Sequence, residues 1–229
     1  MGFLLELDRQ ILLFFNGSDS LFLDGLIVTL TSGYAWIPLY VALFYVIMRD
    51  NETVPQIMLV AVCAIVGVAL TAGITNFIVK PLFERPRPCN DPAIKYLVDT
   101  VITASNKDFS FFSAHAANTS VIAAYLSLMV RKRMFTVAMS LWVLLNCYTR
   151  LYLGMHYLSD ILVGLCFGIL MGMATYRVYQ KLQARLCNMA GQPAASSSVC
   201  LPVTAHDIDL VITTMVLILS FAVVRASVY

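Results

Sequence analysis

The sequence contains few charged residues. Of its 229 residues, 12% are charged and 60% are hydrophobic, whereas soluble domains carry about 25% charged residues. The formal net charge is only +2, which is too small to indicate a nucleic-acid partner. This composition predicts a protein of the lipid bilayer and argues against a soluble or nucleic-acid-binding domain.

The sequence also lacks the cysteine spacings of a metal site or redox motif. Its six cysteines include no C-x-x-C pair. Cys63, Cys147 and Cys166 lie inside apolar runs, where cysteine packs as a small hydrophobic side chain. We therefore expect neither a disulfide framework nor a cysteine-bound metal.

The N-terminal segment, residues 1–17, does not have the features of a signal peptide. It is apolar but contains Glu6, Asp8 and Arg9, and it lacks a basic start and a cleavage site. Its apolar run is too short to cross a membrane. The pattern predicts an amphipathic helix that lies in the membrane interface and ends at Asn16-Gly17.

Long apolar stretches recur along the rest of the chain. A helix needs about 20 apolar residues to cross roughly 30 Å of hydrocarbon. We predict a core of five spans over residues 21–183, a Pro/Ala/Ser-rich linker over 184–207 and a short sixth span over 208–229. The predicted fold class is an all-α integral membrane bundle of about six transmembrane helices. The apolar stretches are Leu26–Met48, Pro55–Val79, Phe111–Val130, Met134–Tyr148, Leu158–Tyr179 and Leu210–Val224.

The basic residues between the spans indicate an orientation. Alternation of the spans places the loops after the second and fourth spans on the same side as both termini. The compact cluster Arg131-Lys132-Arg133 lies on the opposite side. Because short cytoplasmic loops are enriched in Lys and Arg, we expect that side to face the cytoplasm and the other to face outward.

Three segments at the ends of apolar helices carry ionisable groups, which are costly near hydrocarbon and usually mark function. The first segment contains Lys80 and Arg87-Pro88, after the second span. An arginine fork matches phosphate oxygens in a bidentate manner, and lysine adds a compact charge. Considered alone, this segment is also consistent with an ordinary basic collar at a span end.

The second segment is Ser113-Ala114-His115, at the start of the third span. A serine in this place predicts a helix N-cap, and the unpaired N–H groups of a helix start bind anions. Small Ala114 allows a phosphate to approach the backbone, and His115 could exchange a proton with it. A capped helix with an interfacial histidine explains this segment equally well.

The third segment contains Arg150, His156 and Asp160, around the start of the fifth span. A spacing of four places His156 and Asp160 on one face of a helix. The carboxylate can hold one ring nitrogen and leave the other free to attack phosphorus, while Arg150 closes over the phosphate. A purely structural ion pair is the alternative.

Small residues follow the third segment at regular intervals. Asp160, Gly164, Gly168 and Gly172 recur every four residues. Such small-x-x-x-small patterns let membrane helices approach each other closely. We therefore expect the fifth span to pack tightly in the bundle and to hold His156 steady.

The order and spacing of the three segments resemble those of the type 2 phosphatidic acid phosphatase superfamily. The family pattern is K-x6-R-P, then P-S-G-H, then S-R-x5-H-x3-D. In the second motif Phe112 replaces proline and Ala114 replaces glycine, and in the third Thr149 replaces serine. The matching residues are Lys80, Arg87, Pro88, Ser113, His115, Arg150, His156 and Asp160.

The resemblance implies a metal-independent phosphatase, without a cofactor, that hydrolyses the phosphate or diphosphate head of a membrane lipid. His156 would form a phosphohistidine, Asp160 would orient it, and His115 would protonate the leaving oxygen and then activate water. The residues expected to bind the phosphate are Lys80, Arg87, Ser113, Ala114 and Arg150.

The resemblance leaves the lipid substrate open. The candidates are undecaprenyl diphosphate, phosphatidylglycerol phosphate, phosphatidic acid and the phosphates of lipid A. The expected location is a bacterial inner (plasma) membrane, with the active site on the outer, periplasmic or extracellular, face.

Other functions would use similar residues. A lipid-to-lipid phosphotransferase would share them and pass the phosphoryl group to a second lipid. A non-catalytic lipid-phosphate transporter could use the cations but would not need His156 paired with Asp160. A vanadate-dependent haloperoxidase would use the same constellation, although those enzymes are soluble.

The absence of an acidic cluster with metal-ligand spacing generates a first prediction. Lys80, Arg87 and Arg150 are expected to bind the phosphate in place of a divalent ion. We therefore expect release of inorganic phosphate by the purified protein to be unchanged by EDTA. Activity that is lost on chelation and restored by Mg²⁺ would contradict this expectation.

Overall fold

The regular structure of this chain is helical. The computed structural model describes residues 2–49, 53–101, 109–189 and 203–228. Within these ranges no strand occurs apart from one isolated bridge, between Pro86 and Phe109. The predicted all-α membrane class is confirmed.

The described α-helices follow one another along the chain with short connections. A π-helix (Ile74–Val79) joins α4 to α5, and 3-10 turns occupy Gly33–Trp36 and Pro88–Asn90. The α-helices are α1 (Gly2–Phe15), α2 (Leu21–Thr31), α3 (Ile37–Arg49), α4 (Val54–Gly73), α5 (Lys80–Phe83), α6 (Ala114–Val130), α7 (Arg133–Tyr152), α8 (Leu158–Met189) and α9 (Ala205–Ala226).

The predicted count of about six membrane spans is not confirmed among the described residues. Four helical segments are long and apolar enough to cross a bilayer: Val54–Phe83, Arg133–Tyr152, Leu158–Asn188 and Ala205–Ala226. A fifth span is possible if Leu21–Thr31 and Gly33–Arg49, which are bent by 65° relative to each other, form one crossing. The first predicted span is therefore broken at the 3-10 turn.

Helix α6, the predicted third span, is shorter than a helix that crosses the hydrocarbon of a bilayer. Its 17 residues extend only about 26 Å at 1.5 Å per residue. Ser113 at its start is fully buried, and the helix packs against α4, α7 and α8. Because neighbouring helices cover α6, it does not need to match the thickness of the hydrocarbon.

The boundaries of the predicted linker and last span also differ. Helix α8 continues through residues 184–189, and α9 begins at Ala205, so only residues 190–202 of the predicted linker lie outside the described residues. The start of α9 is fixed by a reciprocal capping box between Thr204 and Asp207. The capped helix has 22 residues, which makes it long enough to span.

The glycines of α8 bring its backbone against α6, which is the kind of close packing that the sequence pattern predicted for this span. A Cβ atom added at Gly164 would lie 2.7 Å from the Ser113 carbonyl oxygen, and one at Gly172 would lie 2.9 Å from that of Val121. At Gly168 it would overlap the Ala117 carbonyl oxygen. This contact confirms the expected tight packing and fixes the start of α6 against the start of α8.

The close contact of α6 and α8 generates a prediction for stability. Gly168→Ala should lower the thermal unfolding midpoint in detergent, because overpacking a well-packed contact destabilises by about 1–3 kcal/mol. Gly73→Ala is the matched control, since an added Cβ there meets nothing within 4 Å. Equal midpoints for the two variants would contradict the packing described for α8.

Candidate functional site

The chain reverses direction within the first segment, immediately after α5 ends at Phe83. Glu84 has a left-handed backbone with φ +45°, and its N–H closes the helix on the Lys80 carbonyl oxygen at 3.0 Å. The chain then pairs with the second segment, because the Ser110 N–H donates to the Arg85 carbonyl oxygen at 2.8 Å. This pairing brings the first and second segments together, although Arg85 and Ser110 are 25 positions apart in the sequence.

The two phosphate-binding candidates of the first segment lie on either side of this reversal. Lys80 Nζ donates to Asn76 Oδ1 at 2.9 Å, one helical turn earlier. Arg87 is half-buried, and its Nη1 lies 3.2 Å from Met155 Sδ. Since Met155 precedes His156, Arg87 lies beside the third segment.

The second segment forms the helix start that the sequence predicted. Ser113 is the N-cap of α6, and its Oγ accepts from the Ala116 N–H at 3.4 Å. Ala114 begins the helix, and His115 is exposed in its first turn. Phe112 is buried and packs against Phe167 of α8, with ring centroids 5.0 Å apart. The aromatic residue at the family's proline position therefore anchors the helix start to α8.

The third segment spans the connection between α7 and α8. Arg150, in the last turn of α7, is 8% exposed, and its Nη1 donates to Thr31 of α2. His156 is 2% exposed and Asp160 is fully buried. All three polar side chains are thus removed from bulk solvent.

The three segments converge on one site. The charges of Arg150, Arg87 and Lys80 all act electrostatically on His115. Those of Arg150 and Arg87 act on His156 as well. The structure therefore brings together the residues that the sequence singled out from three separate helix ends.

The partners of Asp160 fix the direction of its carboxylate. Its Oδ1 accepts from Arg85 Nη1 at 2.6 Å. Its Oδ2 accepts from the Tyr157 N–H at 3.1 Å and from the Ser110 hydroxyl. The distance from Oδ2 to His156 Nδ1 is 3.8 Å, so Ser110 Oγ, which is 3.4 Å from that nitrogen, mediates the contact.

This arrangement selects one ring nitrogen of His156 for chemistry. The Ser110 hydroxyl gives its single proton to Asp160, so its oxygen is left to accept from Nδ1–H. Burial lowers the pKa of His156 from its usual 6.5 to about 4, although Asp160 opposes the shift. The ring is therefore neutral at neutral pH, with a lone pair on Nε2.

Sequence reasoning missed four residues that contact the site. Arg85 lies within the first segment but matches no position of the family pattern, and Ser110 lies just outside the second motif. Asp8 was assigned to an interfacial helix, and Thr31 to the interior of a span. Only Arg85 carried a local signal, because it alternates with prolines beside Arg87.

The site contains groups that are suited to act as a nucleophile, a proton donor and an anion cradle. Neutral His156 can attack an electrophile, and exposed His115 can exchange protons with a leaving group. The N–H groups at the start of α6 and the nearby cations can stabilise negative charge. These groups together suit the transfer of a phosphoryl group.

Comparisons with known proteins agree with this chemistry. The chain is 37% identical over 189 residues to the lipid A 4'-phosphatase of Bacteroides thetaiotaomicron, covering 80% of this chain and 82% of that protein. It is 27% identical over 199 residues to the lipid A 4'-phosphatase of Porphyromonas gingivalis, covering 87% and 84% of the two chains. No solved structure matches the chain significantly.

The family comparison covers all three motif segments of the site. The sequence pattern of the PAP2 superfamily matches residues 60–184, which include all three segments. With the two relatives, it confirms the expectation of a membrane enzyme that hydrolyses lipid phosphates. The chain belongs to the PAP2 superfamily, the type 2 phosphatidic acid phosphatases.

Proposed function

We propose that this protein removes a phosphate from lipid A, without a metal ion, through a phosphohistidine on His156. Both relatives are named as lipid A 4'-phosphatases, which favours lipid A over the other candidate lipids. The geometry of His156 and Asp160 supports the covalent route. A transporter would need neither the buried histidine nor its serine-linked carboxylate.

The observation that carries the proposal is the buried charge of Arg150. Its Nε is buried and has no hydrogen-bond partner among the described residues. Its Nη1 donates to a hydroxyl of Thr31 rather than to a carboxylate. A buried, unpaired cation is costly, and an anion from the substrate would satisfy it. The guanidinium fork is suited to two phosphate oxygens.

The first step transfers the phosphoryl group to the protein. His156 Nε2 attacks phosphorus, a nitrogen–phosphorus bond forms, and the bond from phosphorus to the lipid oxygen breaks. A phosphate dianion bound beside His115 favours its protonated form. The imidazolium gives its proton to that oxygen, which leaves as the lipid alcohol. Asp160, acting through Ser110, stabilises the positive charge that develops on the His156 ring.

The second step hydrolyses the phosphohistidine. His115, now neutral, takes a proton from water, and the resulting oxygen attacks phosphorus. The nitrogen–phosphorus bond breaks, inorganic phosphate leaves, and both histidines return to their initial states. The charge on the phosphate oxygens is stabilised throughout by Lys80, Arg87, Arg150 and the Ser113–Ala114 start of α6.

The proposed orientation places this chemistry on the outer face of a bacterial inner membrane. Helix α6 runs away from Ser113, and α7 returns to Arg150. The cluster Arg131-Lys132-Arg133 between the two helices therefore lies at the end opposite the site. The enrichment of such residues in cytoplasmic loops supports an outward-facing site.

The covalent mechanism is tested with matched histidine variants. His156→Ala should abolish phosphate release in detergent, because the nucleophile is lost. His206→Ala is the control, since His206 is exposed at the start of α9, at the end far from the site. Wild-type protein quenched during turnover of ³²P-labelled substrate should carry acid-labile, base-stable label. Equal phosphate release by His156→Ala and wild type would contradict the mechanism.

The substrate is tested by direct competition among lipid phosphates. We expect the purified protein to release phosphate faster from bis-phosphorylated lipid A than from phosphatidic acid, phosphatidylglycerol phosphate or undecaprenyl diphosphate. Mass spectrometry of the product would show which lipid A phosphate is lost. Faster turnover of any of the other three lipids would contradict the proposed substrate while leaving the phosphatase assignment intact.

A further inference from the structure

A buried charged network connects the N-terminal helix with the site. Helix α1 packs against α7 and α8, and its Asp8 is 7% exposed. Asp8 Oδ1 accepts from the Ser159 N–H at 3.0 Å, and its Oδ2 also accepts from the Ser159 hydroxyl. Glu6 on the same helix is exposed. Asp8 is thus directed toward the protein interior at the start of α8.

Arg85 links Asp8 to Asp160. Its Nη2 donates to Asp8 Oδ2 at 2.9 Å, and its Nη1 donates to Asp160 Oδ1 at 2.6 Å and to Ser159 Oγ at 2.8 Å. Its guanidinium carbon lies 4.0 Å from the centre of the Tyr157 ring. The two carboxylates fix the guanidinium within its plane, and the aromatic ring fixes one of its faces.

This pairing makes Arg85 electrostatically different from the cations that are proposed to bind phosphate. Its charge is offset by two buried carboxylates, whereas Arg150 has no carboxylate partner among the described residues. A buried carboxylate is tolerated only when it is paired and hydrogen-bonded. Arg85 therefore satisfies Asp8 and Asp160 together, and the direction of Asp160 depends on where Arg85 is held.

We propose that Asp8 and Arg85 are positioning residues for the phosphoryl-transfer reaction, with Asp8 holding Arg85 and Arg85 holding Asp160 Oδ1. Asp160 Oδ2 is then left to face Ser110 and His156. The inference rests on the proposed function, because it assigns these residues a role in the histidine chemistry. It gives α1 a role within the active site in addition to any contact with the membrane.

The proposed role affects the chemical step more than substrate binding. Without the Asp8 carboxylate, Arg85 Nη2 loses its charged acceptor, and the guanidinium is held less firmly beside Asp160. His156 then loses its fixed direction, and small misplacements of a reacting group reduce rates by up to about a hundredfold. Lys80, Arg87 and Arg150 are untouched, so KM should change little.

The test is a double-mutant cycle on the full-length protein in detergent. Asp8→Asn and Arg85→Gln should each lower kcat for lipid phosphate hydrolysis by roughly ten- to a hundredfold. Because Asp8 acts through Arg85, the double variant should be no slower than Arg85→Gln alone. Glu6→Gln removes an exposed carboxylate from the same helix and should leave kcat and KM at wild-type values.

Several outcomes would overturn the positioning role. An unchanged kcat in Asp8→Asn, a change confined to KM, or effects that multiply in the double variant would each do so. If Arg85→Gln does not yield folded protein, Arg85→Lys replaces it in the cycle; it keeps the charge but lacks the fork, and it should still lower kcat. A wild-type protein that releases no lipid phosphate would contradict the proposed function itself.

Discussion

The buried carboxylate of Asp160 is the group on which the site depends. It accepts hydrogen bonds from Arg85 in the first segment, from Ser110 at the edge of the second, and from the Tyr157 N–H in its own segment. The backbone carbonyl oxygen of Asp160 also accepts from the Ser113 N–H at 3.1 Å. One residue thus joins three parts of the chain that are far apart in sequence, and His156 takes its direction from that junction.

The close approach of α6 and α8 makes this junction possible. Glycines on α8 allow the carbonyl oxygens of α6 to touch its backbone. The start of α6, with its unpaired N–H groups, is consequently fixed beside the start of α8, which carries Asp160. Packing deep in the bundle therefore sets the geometry of a site at its end, and a methyl group added between the helices would disturb both.

The arginines near the site have two different electrostatic roles. The positive charge of Arg85 is offset by its ion pairs with Asp8 and Asp160. Arg150 is 8% exposed, and its side chain donates to Thr31 but has no carboxylate partner among the described residues. Under the proposed function, the substrate phosphate pairs with Arg150, whereas Arg85 holds the Asp160 carboxylate in place.

The sequence alone determined the membrane class and the three motif segments at helix ends, while the tertiary structure brought those segments together. Hydrophobic length and the spacings Lys80–Arg87, Ser113–His115 and His156–Asp160 are local properties, so they can be read without a structure. The tight packing of α8 followed from its glycine spacing in the same way. Tertiary structure alone decided the break between α2 and α3, the burial that lets α6 be short, and the partners of Asp160. Arg85, Ser110 and Asp8 acquire their roles from chain reversals and helix docking, and contacts made across distant segments leave no periodic signal in the sequence.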